Sequence, residues 1–259
     1  MTWRRGLFLL AGCAVAGVAL SPPFDAAADK DLRLHMVQHM LLLAVAPPLI
    51  VLGEPIRVAF DLLPVGGARR LAAWLRRPPL ATLLSPPVAL GLFLLIVLGT
   101  HVPAVFDTAL ESDPLHALEH LSYLVAGLLL WSAAIGADPA AKPLSLIGVT
   151  GLLTVAMVPM LALGVILDTA SGVVYSPYAA AAGGATAFGE QNAAATAMWA
   201  GDLPFILALV LAGWSTLKRE ERLQRLNETA AASADGTKVP LYGGKSSRQR
   251  VVARKGGAA

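Results

Sequence analysis

The chain has 259 residues, of which 56% are hydrophobic and 14% charged, with a formal net charge of +3. A soluble domain carries about 25% charged residues, so much of this chain does not meet water and a soluble globular class is excluded. The single cysteine, Cys13, excludes a disulfide framework or a thiolate metal cluster within one chain.

A helix needs about 20 apolar residues to cross the hydrocarbon core of a bilayer. Six stretches qualify, at approximately 6–22, 35–53, 81–100, 116–136, 144–167 and 196–217. The expected fold is therefore an all-α polytopic membrane helix bundle over residues 1–217, followed by a basic tail over 218–259. In the first stretch, Arg4-Arg5 and the small-residue run DAAAD (25–29) also read as a cleavable signal peptide, which would leave five spans. Pro47-Pro48 in the second stretch and Pro159 in the fifth predict kinks, tolerated where neighbouring helices satisfy the freed carbonyls. The connection 168–194 has no Lys or Arg, and its tract AAAAGGATA (179–187) reads as flexible. The tail opens as a charged helix, KREERLQRLNE, then turns to Gly, Ser, Lys and Arg, a composition that suits disorder beside anionic lipid.

Basic residues set the orientation. With odd-numbered spans running outward, 18 Lys and Arg lie inside and 2 outside, which places the C-terminus in the cytoplasm. All five histidines then fall at the outer surface. His35 and His39 begin the second span, His101 ends the third, and His116 and His120 begin the fourth. Both pairs have i, i+4 spacing, which puts two imidazoles on one helix face about 5–6 Å apart at Cβ. That geometry grips one metal ion in zinc proteases. Those enzymes also need a Glu after the first His, and here the position holds Met36 or Ala117. Hydrolysis is disfavoured and the chain does not read as an enzyme.

Met36 and Met40 each follow a histidine, Glu119 shares a side with His116, and Gln191, Met198 and Asp202 form a stripe on the last span. Imidazole with thioether suits copper, especially Cu(I), whereas imidazole with carboxylate suits zinc or Cu(II) better. The mixture favours copper. Met157 and Met160 read as packing, Tyr123, Trp131, Trp199 and Trp214 as core or interface anchors, and Glu54 and Asp61 as partners of nearby arginines. Asp202 reads equally as a cap before Pro204.

Three blocks carry a family likeness. HMVQHMLLLAVAPPLIVLGEP (35–55), THVPAVFDTALESDPLHALEHLSYLVAGLLLW (100–131) and EQNAAATAMWAGDLPF (190–205) resemble the signatures of the CtaG-type cytochrome c oxidase assembly factors, multi-pass proteins associated with caa-type oxidases. Glu190 stands where Asp would be expected, which keeps the charge. The resemblance implies a bacterial plasma-membrane protein that helps build a haem–copper oxidase by handling copper. It points to His35, His39, His101, His116, His120 and Met198.

The expected site is an outward-facing copper cluster between the second, third and fourth spans. The five imidazoles bind the ion, Met36, Met40 and Met198 offer soft ligands, and Glu119 and Asp202 orient the rings. The expected partners are oxidase subunits or a periplasmic copper chaperone, with anionic lipid at the tail, no nucleic acid, and a homodimer left open. Two other readings stand beside this one. Histidines on facing helices also ligate b-type haem, and Pro47-Pro48 with Asp202 would suit a copper or proton transporter.

Overall fold

The structure is a computed structural model that describes residues 3–136, 143–182 and 184–234. No strand occurs among the described residues. The helices are α1 (Trp3–Ala19), α2 (Pro22–Ala28), α3 (Leu32–Met40), α4 (Ala46–Leu52), α5 (Pro55–Leu62), α6 (Val65–Leu75), α7 (Pro78–Leu83), α8 (Pro86–Thr100), α9 (Pro103–Leu110), α10 (Asp113–Ile135), α11 (Leu146–Thr169), α12 (Ser176–Ala182), α13 (Gly184–Ala200) and α14 (Leu203–Ala234). Proline punctuates them. It stands in the first turn of α2, α5, α7, α8, α9 and α10, where its missing N–H costs nothing and its fixed φ suits the helix. Asp31 caps α3 by accepting the Arg33 N–H at 2.9 Å.

Four helical stretches are long and apolar enough to cross a membrane: Leu32–Leu62, Asp113–Ile135, Leu146–Thr169 and Thr186–Ala231. Two bent pairs raise the number to six, α1 with α2 at 52° and α8 with α9 at 76°. These six coincide with the expected spans, and the protein is a polytopic helical bundle. Its lipid-facing character shows in exposed side chains such as Leu95, Leu121, Val158, Ile166, Leu207 and Val210. Small residues bring the helices close. A Cβ on Gly12 of α1 would lie 2.6 Å from Ile50 of α4.

Two features differ from the expected path. Ahead of Pro47-Pro48, the helix widens into a π-helical turn, Leu41–Val45, that joins α3 to α4. Proline at 47 has no N–H for the Leu43 carbonyl and its ring crowds that oxygen, so the ladder widens ahead of it. Gly127 of α10 closes on this point, where a Cβ would sit 2.6 Å from both the Leu43 carbonyl oxygen and Pro47. Second, much of the connection 168–194 is helical, as α12 and α13. Alanine favours helix strongly, and the small residues let α13 lie against α3 and α11. Trp199 covers Gly164, and Met40 Sδ occupies the space beside Gly201. The last expected span is accordingly broken by a turn at Gly201-Asp202.

The chain divides into two compact units, Met1–Gly213 and Trp214–Ala259. In the second, the expected charged segment 218–228 is helical, and Lys218 Nζ sits 4.9 Å from the Trp214 ring centre. The remainder of the tail, 235–259, lies outside the described residues.

Candidate metal centre

The span Leu32–Leu62, which opens with α3, and α10 each carry their histidine pair near the N-terminal end, and α8 ends at His101. Because α3 and α10 pack in the same sense, the pairs meet at one end of the bundle. Ring centres are 4.2 Å apart for His35–His39 and for His116–His120. Across helices, His35 stacks on His116 at 5.2 Å and 11°, and His39 lies 5.6 Å from both His101 and His120. The five imidazoles thus form one cluster. All are buried, from 0% exposure at His35 and His39 to 8% at His116. The 76° bend after His101 folds α9 back so that Phe106 packs 5.0 Å from the His35 ring. Tyr123 of α10 sits 4.4 Å from His39.

Hydrogen bonding fixes the proton on two rings. Tyr178 of α12 donates to the Ala28 carbonyl at 2.9 Å, and its oxygen is 2.8 Å from His35 Nδ1. The phenol has a single proton, so His35 Nδ1–H is the donor in the second bond and Nε2 holds a lone pair. His101 Nδ1 lies 2.8 Å from the Val97 carbonyl, which only accepts, so its Nε2 is likewise free of hydrogen. Buried polar atoms are nearly always hydrogen-bonded. Here the Nε2 atoms of His35, His39, His101, His116 and His120, and His39 Nδ1, are all buried without a hydrogen-bond partner. Tautomers locked at Nδ1 and lone pairs at Nε2 in one pocket are the donor set that a metal ion requires. One ligand atom from each of His35, His39 and His120 lies within 4.8 Å of the others.

Several participants were not anticipated. Asp29 Oδ1 lies 3.7 Å from His116 Nδ1, and Asp25 Oδ1 lies 3.8 Å from His120 Nδ1. Gln38 Nε2 holds Asp25 at 2.8 Å while also donating to the Ala19 carbonyl at 2.8 Å. Asp25 and Asp29 themselves repeat the i, i+4 spacing of the histidines, a signal masked by their place in a small-residue run. Tyr175 donates to the His101 carbonyl at 3.2 Å. Burial raises the Asp29 carboxyl above the ordinary range, with His116 opposing the shift, and burial also raises Tyr175 and Tyr178. Asp31 is pulled the other way by its hydrogen bond to Arg33.

The remaining expected residues are dispersed around this cluster. Met36, Met40 and Met198 are buried, and Met40 Sδ points to Gly201 in the turn after α13. Glu119 accepts from Tyr123 at 3.2 Å, and Tyr123 in turn lies 3.3 Å from His101 Nδ1, so the carboxylate reaches an imidazole through the phenol. Asp202 is buried at the α13–α14 turn with Oδ1 unpartnered, and no hydrogen bond among the described residues ties it to a histidine. Gln191 donates to the Leu167 and Gly172 carbonyls and accepts from the Val174 N–H, which moors the segment that carries Tyr175.

The model of one protein family, described as cytochrome c oxidase caa3 assembly factor (Caa3_CtaG), matches residues 1–219, which include the whole histidine cluster. The chain belongs to this assembly factor family. Uncharacterized proteins of Mycobacterium bovis and Mycobacterium tuberculosis are each 32% identical over 182 residues, covering 67% of this chain and 28% of their own length. One from Mycobacterium leprae is 26% identical over 231 residues, covering 83% of this chain and 35% of its own. The family member described here thus spans about a third or less of the curated relatives it matches. No solved structure matches it.

Proposed function

We propose that this chain serves cytochrome c oxidase assembly by holding copper in its imidazole cluster at the outer face of a bacterial plasma membrane and passing it to an oxidase component. Family membership supplies the assembly role. The observation that carries the copper reading is the set of unpartnered Nε2 atoms on five buried rings. An apolar bundle has no structural use for six orphaned nitrogens in one pocket, because each costs about 1–3 kcal/mol. Spacing favours an ion over a porphyrin: the His35 and His116 rings stack at 5.2 Å, which leaves no slot for a macrocycle between them.

The outward placement follows from charge. Arg5, Glu54 and Arg57 lie at the end of the bundle opposite the histidines, and Arg69, Arg70, Arg76 and Arg77 follow in α6 and its flank. The positive-inside rule directs that end, and the C-terminus, to the cytoplasm. Imidazole nitrogen accepts copper readily, and His35, His39 and His120 are the central ligands, with His101 and His116 on either side. Of the soft donors, Met36 and Met198 are the candidates for favouring Cu(I), whereas Met40 Sδ points to Gly201 in the turn after α13. More imidazoles than one ion needs permit stepwise exchange, so release needs only a partner that binds more tightly. No turnover step is involved.

The test is elemental analysis of purified protein, wild type beside His35→Ala/His39→Ala. Wild type retains copper and the double variant retains little. Equal copper in both proteins would overturn the assigned ligands.

A further inference from the structure

Beside the inner cluster lies a cavity of about 340 Å³ lined by Asp25, Asp29, Asp113, His116 and His120, with Leu20, Ala117, Leu121 and Leu124 completing its wall. Among the described residues, no lysine or arginine lines it. The Asp25 and Asp29 side chains are 40% and 49% exposed, whereas those of His116 and His120 are 10% and 5% exposed. Each of these two rings turns Nδ1 toward a carboxylate and keeps an unpartnered Nε2. The rings therefore stand between an acidic mouth and a nitrogen-only interior.

The Nδ1···Oδ1 separations of 3.7 and 3.8 Å are too long for hydrogen bonds. They do fit two donors on one ion. Ligands at about 2.0–2.2 Å in a tetrahedral zinc site lie about 3.3–3.6 Å from each other, so each pair has only to draw in by a few tenths of an ångström. Ligand atoms of Asp25, His116 and His120 lie within 4.8 Å of one another, as do those of Asp29, His35 and His116. The first group contains neither His35 nor His39, and the second shares His35 with the interior. Asp25 is held in place by Gln38 at 2.8 Å, which is how a working ligand is oriented.

We infer that Asp25, Asp29, His116 and His120 form an outer station for divalent cations, the port through which an ion reaches the inner imidazoles. This rests on the copper reading for what lies beyond the port, but not for the station itself. Mixed carboxylate and imidazole donors suit zinc or Cu(II). Three carboxylates at one mouth also raise the local concentration of cations, an effect that salt screens. The station captures and the interior retains.

The test uses the full chain in detergent, with Zn²⁺ as a redox-inert probe and Asp25→Asn/Asp29→Asn as the variant. Asn preserves the acceptor for Gln38. Zinc affinity is expected to fall at least tenfold in this variant and to survive in His35→Ala/His39→Ala. Copper loading of the Asp variant is expected to reach the wild-type amount about tenfold more slowly at low salt, and at equal speed in high salt. Unchanged zinc affinity in the Asp variant overturns the station, as does absence of zinc binding in the wild type. If the double variant misfolds, Asp29→Asn alone decides: weakening by threefold or more supports the station and no change overturns it. Retention of copper by His35→Ala/His39→Ala would strike the inner site alone.

Discussion

The two ends of the bundle handle polarity in opposite ways. At the basic end, Glu54 accepts from the half-buried Arg5 at 2.9 Å and from the exposed Arg57 at 3.3 Å. Those contacts accompany a left-handed backbone at Glu54, φ 51°, the only non-glycine residue among those described with positive φ. At the histidine end, five rings are buried and their Nε2 atoms have no partner. Polar groups that serve structure are satisfied by structure. On the copper reading proposed above, the unsatisfied imidazole nitrogens are kept for an ion that arrives from outside.

That contrast can be broken most directly at His39, both of whose nitrogens are unpartnered. His39→Phe is expected to lose most bound copper, yet the metal-free protein gains about 2–6 kcal/mol because two orphaned nitrogens disappear. Copper per chain and thermal unfolding in chelator measure both effects. A metal-free variant less stable than wild type would show that the imidazole serves packing after all. Gly127→Leu attacks alignment instead. Its side chain meets Leu43 and Pro47, so overpacking costs about 1–3 kcal/mol and α10 carries His116 and His120 away from α3. Wild-type copper content in this variant would count against the need for close packing there.

Tyr178→Phe removes the acceptor that sets the His35 tautomer. Loss of such a supporting bond costs about 10–100-fold in metal affinity, measurable by chelator competition, and an unchanged affinity would remove Tyr178 from the site. Asp31→Ala deletes the α3 cap and costs about 1 kcal/mol. The Asp31 carboxyl titrates below its ordinary range in the folded protein, so its contribution is present above about pH 4 and fades as pH falls through the folded value. Melting curves of the two proteins should therefore converge in acid. Parallel curves at every pH would dismiss the cap. At the opposite end, Arg5→Ala is expected to cost about 0.2–1 kcal/mol and to leave copper untouched. A drop in copper there would mean that the two ends are coupled.

The spans were legible because membrane crossing imposes a length, and six apolar stretches of that length stand in the sequence. The gathering of His35, His39, His101, His116 and His120 was legible from their helical period together with the asymmetry of Lys and Arg. Asp25, Asp29 and Tyr178 were not. The two acids depend on a 52° bend that swings α2 toward α10, and Tyr178 reaches His35 across 143 positions of chain. The small-residue tract was misleading for another reason. Alanine and glycine look pliant in isolation, but alanine favours helix, and the described part of the tract lies in α12 and α13.

The π turn at Leu41–Val45 has a bearing on engineering. A widened turn holds a surplus residue, so the stretch above it and the stretch below it are out of phase. The facing of His35 and His39 is not obtained by counting hundred-degree steps up from Pro47. Anyone transplanting the histidine pair into another bundle has to carry the widened turn and its glycine neighbour along with it, or the rings will look toward lipid.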